Sequence, residues 1–295
     1  MGRFVCICLS LWGLLSYPSI WAVEELGNSQ EMNQLNIVQT CFEEAFHSLS
    51  GDHSLYYQDL TQADATKLVI NSNPMRSASL IKLFILAVFF QQVADDQIRL
   101  NQTYILQDAD KVGGTGTLQQ QAEGSTYSFL DLAQEMIINS DNTATNILIK
   151  QLGGLSSVQE QINQWDYGDT QLNRYMLDFD ALASGQDNYT SVEDIANLLR
   201  SCYRQELISP VLDRQMLTIL SQQKDRSKLL ARLGHKVKIY GKSGQFSQYG
   251  VLGDAVIVKQ GAKAYLLIIL SQDGEEQDQY PAFNKVGLTV YQVSF

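Results

Sequence analysis

Ser79 and Lys82 lie three positions apart, at the start of the most apolar stretch of the chain. Lys82 is the only charged residue between Leu80 and Phe90, and an apolar stretch of this kind predicts a buried helix. A lysine is rarely buried without a partner, and burial at the positive end of a helix dipole disfavours its charge. Such a lysine can accept a proton from the nearby serine, which makes the serine nucleophilic. Taken alone, however, the pair is more often a helix-capping serine with a lysine whose charge reaches solvent.

Two further tripeptides change this balance. Ser140-Asp141-Asn142 falls at a break between two predicted helices, and Lys242-Ser243-Gly244 ends a predicted strand. Each tripeptide is common by itself. The combination S-x-x-K, S-D-N and K-S-G, in this order and on these elements, is specific enough to predict a serine-nucleophile site.

The hydrophobic periodicity predicts the elements that must position these residues. Helices are predicted over 35–50, 79–94, 128–139, 143–152, 191–204 and 281–295, and strands over 53–60, 66–73, 236–244, 250–259 and 264–273. The two groups of strands can form one antiparallel sheet only if the helical block between them is an insertion beside that sheet. A cleft between the sheet and the block is then the expected small-molecule site.

The composition indicates a folded protein with a sizeable core. Of the 295 residues, 45% are hydrophobic and 18% are charged, and the formal net charge is -11. A disordered chain would contain fewer apolar residues. Nucleic acid is excluded as a partner, because a protein that binds phosphates needs a basic face.

Residues 1–22 have the pattern of a secretory signal. Arg3 precedes an apolar run of 12 residues, Pro18 breaks the helix, and Ala22 is a small residue at the expected cleavage point. The run is short for a membrane-spanning helix, which needs about 20 residues, although a short membrane anchor is the alternative. We predict a secreted protein, periplasmic or extracellular, without a stable membrane span after cleavage.

The cysteines and histidines point away from disulfide and metal chemistry. Cys6 and Cys8 lie in the predicted signal, and Cys41 and Cys202 are not expected to form a bridge. No Cys/His cluster has metal-ligand spacing. None of the three histidines lies beside a promising serine, so a Ser-His-Asp triad is not expected.

The three motifs resemble those of class A β-lactamases and penicillin-binding proteins, and the resemblance spans about residues 35–295. It implies an α/β (α+β) fold with a five-stranded antiparallel sheet flanked by helices and an inserted all-helical subdomain. Residues 23–295 would form one catalytic domain, with the sheet subdomain at about 35–75 and 210–295 and the helical subdomain at about 76–209. The resemblance also implies an enzyme that needs no metal or cofactor. We expect a monomer.

The resemblance also implies roles for individual residues. Ser79 would be acylated, Lys82 would be its base, and Ser140 would pass a proton to the leaving nitrogen. Asn142 would bind the side-chain amide of the substrate. The predicted catalytic residues are Ser79, Lys82, Ser140 and Lys242, and the predicted substrate-binding residues are Asn142, Ser243, Gly244 and Gln245.

Lys242 and Ser243 would hold the substrate carboxylate, and the backbone N–H groups of Ser79 and Gln245 would hold the oxyanion. The family often has an arginine beside that carboxylate, and no arginine follows Lys242. Lys228 or Arg232 could take its place, although such residues are more often surface charges. Asp141 is expected to bond backbone at the turn.

One departure from the family pattern concerns release of the acyl group. A loop glutamate activates the hydrolytic water in class A enzymes, and residues 170–176, TQLNRYM, place Met176 where that glutamate is expected. Methionine can neither take nor give a proton. A rival alignment gives Asp169 that place. Asp178 and Asp180 follow closely, and Asp180 stands where the family has the asparagine that helps to hold the hydrolytic water, so it could bind the same water from the other side. Two solvated loop aspartates are the more ordinary interpretation of this pair.

These observations predict a serine hydrolase that forms a Ser79 acyl-enzyme with β-lactams and deacylates slowly. One alternative is a penicillin-binding enzyme that acts on D-alanyl peptides. Another is a binder of cell-wall fragments that no longer turns over.

Overall fold

The fold is a mixed α/β structure, in a computed structural model that describes residues 20–62, 64–234 and 237–295. The predicted signal lies almost wholly outside these residues, so cleavage stays a prediction. The helices are α1 Ile20–Phe46, α2 Ile81–Ala94, α3 Phe129–Ile138, α4 Asn142–Gln151, α5 Leu155–Gln164, α6 Phe179–Ala183, α7 Val192–Arg204, α8 Pro210–Leu220 and α9 Glu276–Ser294. The strands are β1 Asp52–Asp59, β2 Lys67–Ile70, β3 Met75–Arg76, β4 Thr103–Ile105, β5 Thr126–Ser128, β6 Tyr189–Thr190, β7 Lys238–Phe246, β8 Val251–Gln260 and β9 Lys263–Gln272.

The predicted five-stranded antiparallel sheet is confirmed. Its strand order is β2-β1-β9-β8-β7, and every neighbouring pair is antiparallel. The strand that carries the K-S-G tripeptide, β7, is therefore an edge strand. One side of β7 bonds to β8, and its other side faces the start of α2.

The sheet has a hydrophobic cluster on each face. Leu267 and Ile269 of β9 pack with α1 and α9 on one face, whereas Leu266 and Ile268 pack with the helical block on the other. Because successive side chains of a strand point to opposite faces, a sheet covered on both faces has continuously apolar strands.

The apolar stretch that contains Lys82 is the central helix of the helical block. Every residue of α2 from Ile81 to Phe90 is buried, and α3, α4, α5 and α8 all pack against it. A helix surrounded in this way needs apolar side chains on all its faces.

The cysteines are as expected in the described part of the structure. Cys41 and Cys202 are both free and buried, as predicted. They lie in the separate hydrophobic clusters on the two faces of the sheet. None of the described helices combines the length and the apolar character needed to span a membrane.

Candidate active site

Ser79 lies in a short 3-10 turn, Ala78–Leu80, that leads directly into α2. Ala78 has a positive φ of 42°, a conformation that is costly for a residue other than glycine. Such backbone strain is found mainly where a functional group has to be held in place. Ser79 is half-buried and lines a cleft of about 490 Å³ between the sheet and the helical block.

Lys82 lies one turn further along, beneath the cleft, and is fully buried. Its Nζ donates to Ser140 O at 2.8 Å, to Ser140 Oγ at 3.1 Å and to Asn142 Oδ1 at 2.9 Å. Burial, and then the nearby Lys242 cation, lower the pKa of Lys82 well below its usual value. A lysine in this environment can act as a base.

The Ser140 hydroxyl joins Lys82 and Lys242 to the candidate nucleophile. Ser140 Oγ donates to Ser79 Oγ at 3.0 Å and accepts from Lys242 Nζ at 3.1 Å, besides its bond from Lys82. The contact between Lys82 and Ser79 thus runs through Ser140. Ser140 has a positive φ of 52°, so the turn between α3 and α4 is held in an uncommon conformation that points the hydroxyl into the cleft.

Asp141 has the structural role that the sequence predicts. Its carboxylate accepts from the backbone N–H groups of Thr117, Leu118 and Ala144 at 2.6–2.8 Å. It therefore caps α4 and ties the turn to a neighbouring loop. This bonding fixes Ser140 and Asn142 on either side of it.

The K-S-G tripeptide brings β7 against the start of α2. Lys242 is buried, and its Nζ donates to Ser140 Oγ and, at 2.7 Å, to Ser243 O. Burial, and then the charge of Lys228, lower the pKa of Lys242 to about 7. A Cβ atom on Gly244 would lie 3.1 Å from the backbone N of Ser79, so glycine permits this close approach.

The structure brings together all eight residues that the sequence singles out. Lys82 lies beneath the cleft, and the other seven line it. Asn142 Nδ2 also donates to Gly113 O at 3.2 Å, which orients its amide. The Gln245 side chain bonds to Glu276 and Tyr280, so the backbone is the part of Gln245 that is free to serve the cleft.

Met176, which stands where the family pattern has a glutamate, lines the cleft. Its backbone is held on both sides by one side chain: Asn146 Oδ1 accepts from Met176 N at 2.8 Å, and Asn146 Nδ2 donates to Met176 O at 3.1 Å. Met176 is only 7% exposed. Position 176 is thus a fixed and mainly dry part of the wall.

The two aspartates considered as replacements for that glutamate do not line the cleft. Asp180 is exposed on α6, and the neighbouring Asp178 caps that helix by accepting from Ala181 N at 3.0 Å. Asp169 contacts Asp194 through its backbone N–H. Neither carboxylate is placed where it could act on an acyl group at Ser79.

Two charged residues form an ion pair beside the K-S-G tripeptide: Lys228, which the sequence offers as a replacement for the arginine, and Asp225, which the sequence analysis missed. Lys228 lines the cleft and is 1% exposed, so its interpretation as a surface charge is wrong, whereas Arg232 is exposed as expected. Lys228 Nζ lies 2.5 Å from Asp225 Oδ2, and Ser243 Oγ donates to the same oxygen at 2.8 Å. The Asp225–Lys228 spacing, in the segment between α8 and β7, is the only local signal, and it is too common to be specific.

Arg174 is a second cation that the sequence reasoning assigned no role. It lines the cleft, and its guanidinium bonds to the Asp187 carboxylate at 2.8 Å. Its charge is therefore already paired. The apolar wall of the cleft is formed by Ile137, Ile138, Met176, Leu177, Phe179, Leu182 and Phe246.

Comparisons with known proteins agree with this geometry. The family model of the beta-lactamase enzyme family matches residues 37–294. Beta-lactamase 1 of Streptomyces cacaoi is 27% identical over 182 residues, which are 59% of this chain and 55% of that protein. Beta-lactamase ROB-1 of Haemophilus influenzae is 25% identical over 209 residues, 69% of this chain and 66% of that protein. The alignment thus spans less than two thirds of either relative.

The solved structures cover more of the chain. PBP-A is 27% identical with a TM-score of 0.78, over 87% of this chain and 95% of that one. A mutant of PBP-A, in a structure described as an acyl-enzyme complex with penicillin G, matches equally well. The β-lactamase of Sphaerobacter thermophilus DSM 20745, at 21% identity and a TM-score of 0.78, shares the fold over 88% of this chain and 97% of its own. With the family model matched over nearly its whole described length, this chain belongs to the beta-lactamase enzyme family.

Proposed function

We propose that the protein is a serine hydrolase that forms an acyl-enzyme with β-lactams at Ser79 and releases the acyl group slowly. One observation carries the slow release: Asp225 is the only carboxylate among the described residues that line the cleft. Although burial opposes its ionisation, hydrogen bonds from Lys228 and Ser227 lower the pKa of Asp225. A carboxylate held in this way is a poor base for a water molecule.

Acylation uses the hydrogen-bond chain around Ser140. Ser79 Oγ attacks the β-lactam carbonyl carbon while its proton passes through Ser140 to neutral Lys82. The C–N bond of the ring then breaks, and the nitrogen takes a proton from Ser140, which Lys82 replaces. The 3.0–3.1 Å contacts at Ser140 Oγ support this path.

The oxyanion of the tetrahedral intermediate is stabilised by the backbone N–H groups of Ser79 and Gln245. The absence of a side chain on Gly244 supports this role, because it lets β7 approach the backbone of Ser79. Preorganised donors of this kind need not reorient during the reaction.

The substrate is anchored at two ends of the cleft. The Asn142 amide bonds the side-chain amide of the substrate, and Lys242 and Ser243 hold its carboxylate. Lys228 adds a second buried cation at the same end, in place of the arginine that the chain lacks. Since charge-assisted hydrogen bonds are the strongest that side chains make, the cleft favours anionic substrates.

Asp180→Asn should leave deacylation unchanged. Asp180 is exposed and does not line the cleft, so removing its charge takes no base away from the acyl group. The lifetime of the benzylpenicillin adduct, followed by mass spectrometry, should stay within about twofold of wild type, as is usual for a surface substitution. A lifetime lengthened by about tenfold or more would identify Asp180 as the missing base.

Acylation by an anionic β-lactam should weaken above about pH 7. A lysine is charged below its pKa, so Lys242 holds the substrate carboxylate at lower pH and loses this charge as the pH rises. The rate constant for benzylpenicillin, divided by that for its uncharged methyl ester, should fall on the order of tenfold over the next two pH units. Lys242→Arg, which stays charged, should abolish the decline; a decline retained in this variant would assign it to another group.

A second candidate function is cleavage of D-alanyl peptides by the same site. The similarity to PBP-A, together with Met176 in place of a glutamate, favours this reading. Hydrolysis of a chromogenic cephalosporin, compared with release of D-alanine from a peptide ending in D-alanyl-D-alanine, separates the two. Secretion through residues 1–22 and a monomeric state are also part of the proposal, and the signal-like pattern of residues 1–22 supports the first.

A further inference from the structure

The carboxylate of Asp225 occupies a position in the cleft that is suited to a ligand carboxylate. Asp225 lies on the segment between α8 and β7. Its Oδ2 accepts from Ser243 Oγ at 2.8 Å and is paired with Lys228 Nζ at 2.5 Å. Its Oδ1 accepts from the backbone N–H of Ser227 at 2.9 Å and from Ser227 Oγ at 2.6 Å.

Ser243 and Lys228 are donors that an anionic substrate needs. Both line the cleft and are at most 8% exposed, so the protein holds them where they are. A substrate carboxylate that bonds to them has to take the place of Asp225 Oδ2, because two carboxylates at one site repel each other.

The two partners of this ion pair differ in their freedom to move. The Asp225 side chain is 37% exposed, whereas that of Lys228 is 1% exposed. Residues 223–226 belong to no helix or strand. Asp225 can therefore turn outward into water, whereas Lys228 stays in the cleft.

A neighbouring amide supports the view that this end of the cleft is built for a polar ligand. The side-chain amide of Gln223 lines the cleft, and its Nε2 and Oε1 are buried without a hydrogen-bond partner in the described part of the chain. Buried polar groups normally have partners. A bound polar group next to Asp225 would supply one.

We propose that Asp225 is a specificity-determining residue that acts as an internal competitor for the substrate carboxylate. In the empty cleft Asp225 accepts the hydrogen bond from Ser243 and pairs with Lys228. An anionic substrate binds only after Asp225 has turned away. The inference rests on the proposed function. An anionic β-lactam can bind only to the fraction of molecules in which Asp225 has turned away, so its apparent affinity is lower than its intrinsic affinity. Asp225 therefore lessens the preference of the cleft for anionic over neutral β-lactams.

The test compares two substrates that differ only in the carboxylate. Second-order acylation rate constants are measured for benzylpenicillin and for its methyl ester, with the wild type, Asp225→Ala and Asp225→Asn. The ratio of acid to ester should rise on the order of tenfold in Asp225→Ala, and by less in Asp225→Asn, whose amide can still reach Ser243. Asp180→Ala, which removes an exposed aspartate outside the cleft, is the matched control and should leave the ratio unchanged.

A second measurement does not depend on acylation. Sodium acetate should raise the melting temperature of Asp225→Ala, because acetate fills the vacated position between Ser243 and Lys228, and should leave the wild type unaffected. If the variant is folded but neither its substrate ratio nor its response to acetate differs from wild type, Asp225 only supports Lys228 and the inference is wrong.

The two measurements also separate this inference from the proposed function. A response of Asp225→Ala to acetate, without a β-lactam adduct on any variant, would support the carboxylate position and overturn the proposed substrate. Adducts on every variant, with an unchanged ratio and no response of Asp225→Ala to acetate, would support the proposed function and overturn the competitor role.

Discussion

Benzylpenicillin should add covalently to the wild-type protein and stay attached for many minutes, whereas Ser79→Ala should form no adduct. Ser79 Oγ is the hydroxyl that faces the cleft next to Ser140 and Lys82. Opening of a β-lactam ring expels no leaving group, so the protein should gain the full mass of the antibiotic. Intact-protein mass spectrometry, followed over time, measures both formation and loss of the adduct.

Ser247→Ala is the matched control for this experiment. Ser247 follows directly after the last residue of β7, in a short 3-10 turn outside the cleft, so its loss should leave the adduct intact. An adduct that never accumulates while penicilloate builds up would contradict slow release. Neither adduct nor product would direct the search to another substrate.

The parts of the fold that could be predicted are those where the pattern of apolar residues along the chain matches the burial of the element. The strands β8 and β9 are continuously apolar because both faces of the sheet are covered, and α2 is apolar on all sides because helices surround it. The chain pattern thus located the sheet, the central helix and the break that carries Ser140.

Other elements were missed because their signals are weak or were not used. Only Val158 and Ile162 of α5 are buried, so its periodicity is slight. Helix α8 has a serine N-cap at Ser209 followed by Pro210 at its first position, a start signal that the sequence does contain. The strand pairs β3–β6 and β4–β5 are too short for alternation to be visible.

The sequence was enough to predict which side chains meet at the cleft, but not which of them are in contact with each other. Tripeptides name the side chains, yet the bond from Lys82 to Ser140, rather than directly to Ser79, depends on how the α3–α4 turn lies against α2. The interaction of Asp225 with Ser243 joins residues 18 positions apart. Only tertiary packing brings such residues together, so Lys228 and Asp225 could not be separated from ordinary surface charges in the sequence.

Met176→Glu should speed the release of the penicilloyl group by on the order of a hundredfold, within the 10²–10⁴-fold range typical of general-base catalysis. Because Asn146 bonds both backbone groups of Met176, a side chain at this position keeps its direction into the cleft. Burial will raise the pKa of the new carboxyl group, which brings it nearer to the optimum for a base at neutral pH. The half-life of the benzylpenicillin adduct and the rate of penicilloate formation measure the effect.

Met176→Gln is the control, because glutamine has nearly the same shape as glutamate and cannot accept a proton to become neutral. Its adduct should be as long-lived as that of the wild type, so a gain confined to Met176→Glu would identify proton transfer rather than repacking as the cause. A thermal melt of both variants shows whether the wall around position 176 tolerates a polar group. If Met176→Glu is folded and acylated but releases penicilloate no faster than Met176→Gln, the hydrolytic water does not approach from this wall, and the slow release has another origin.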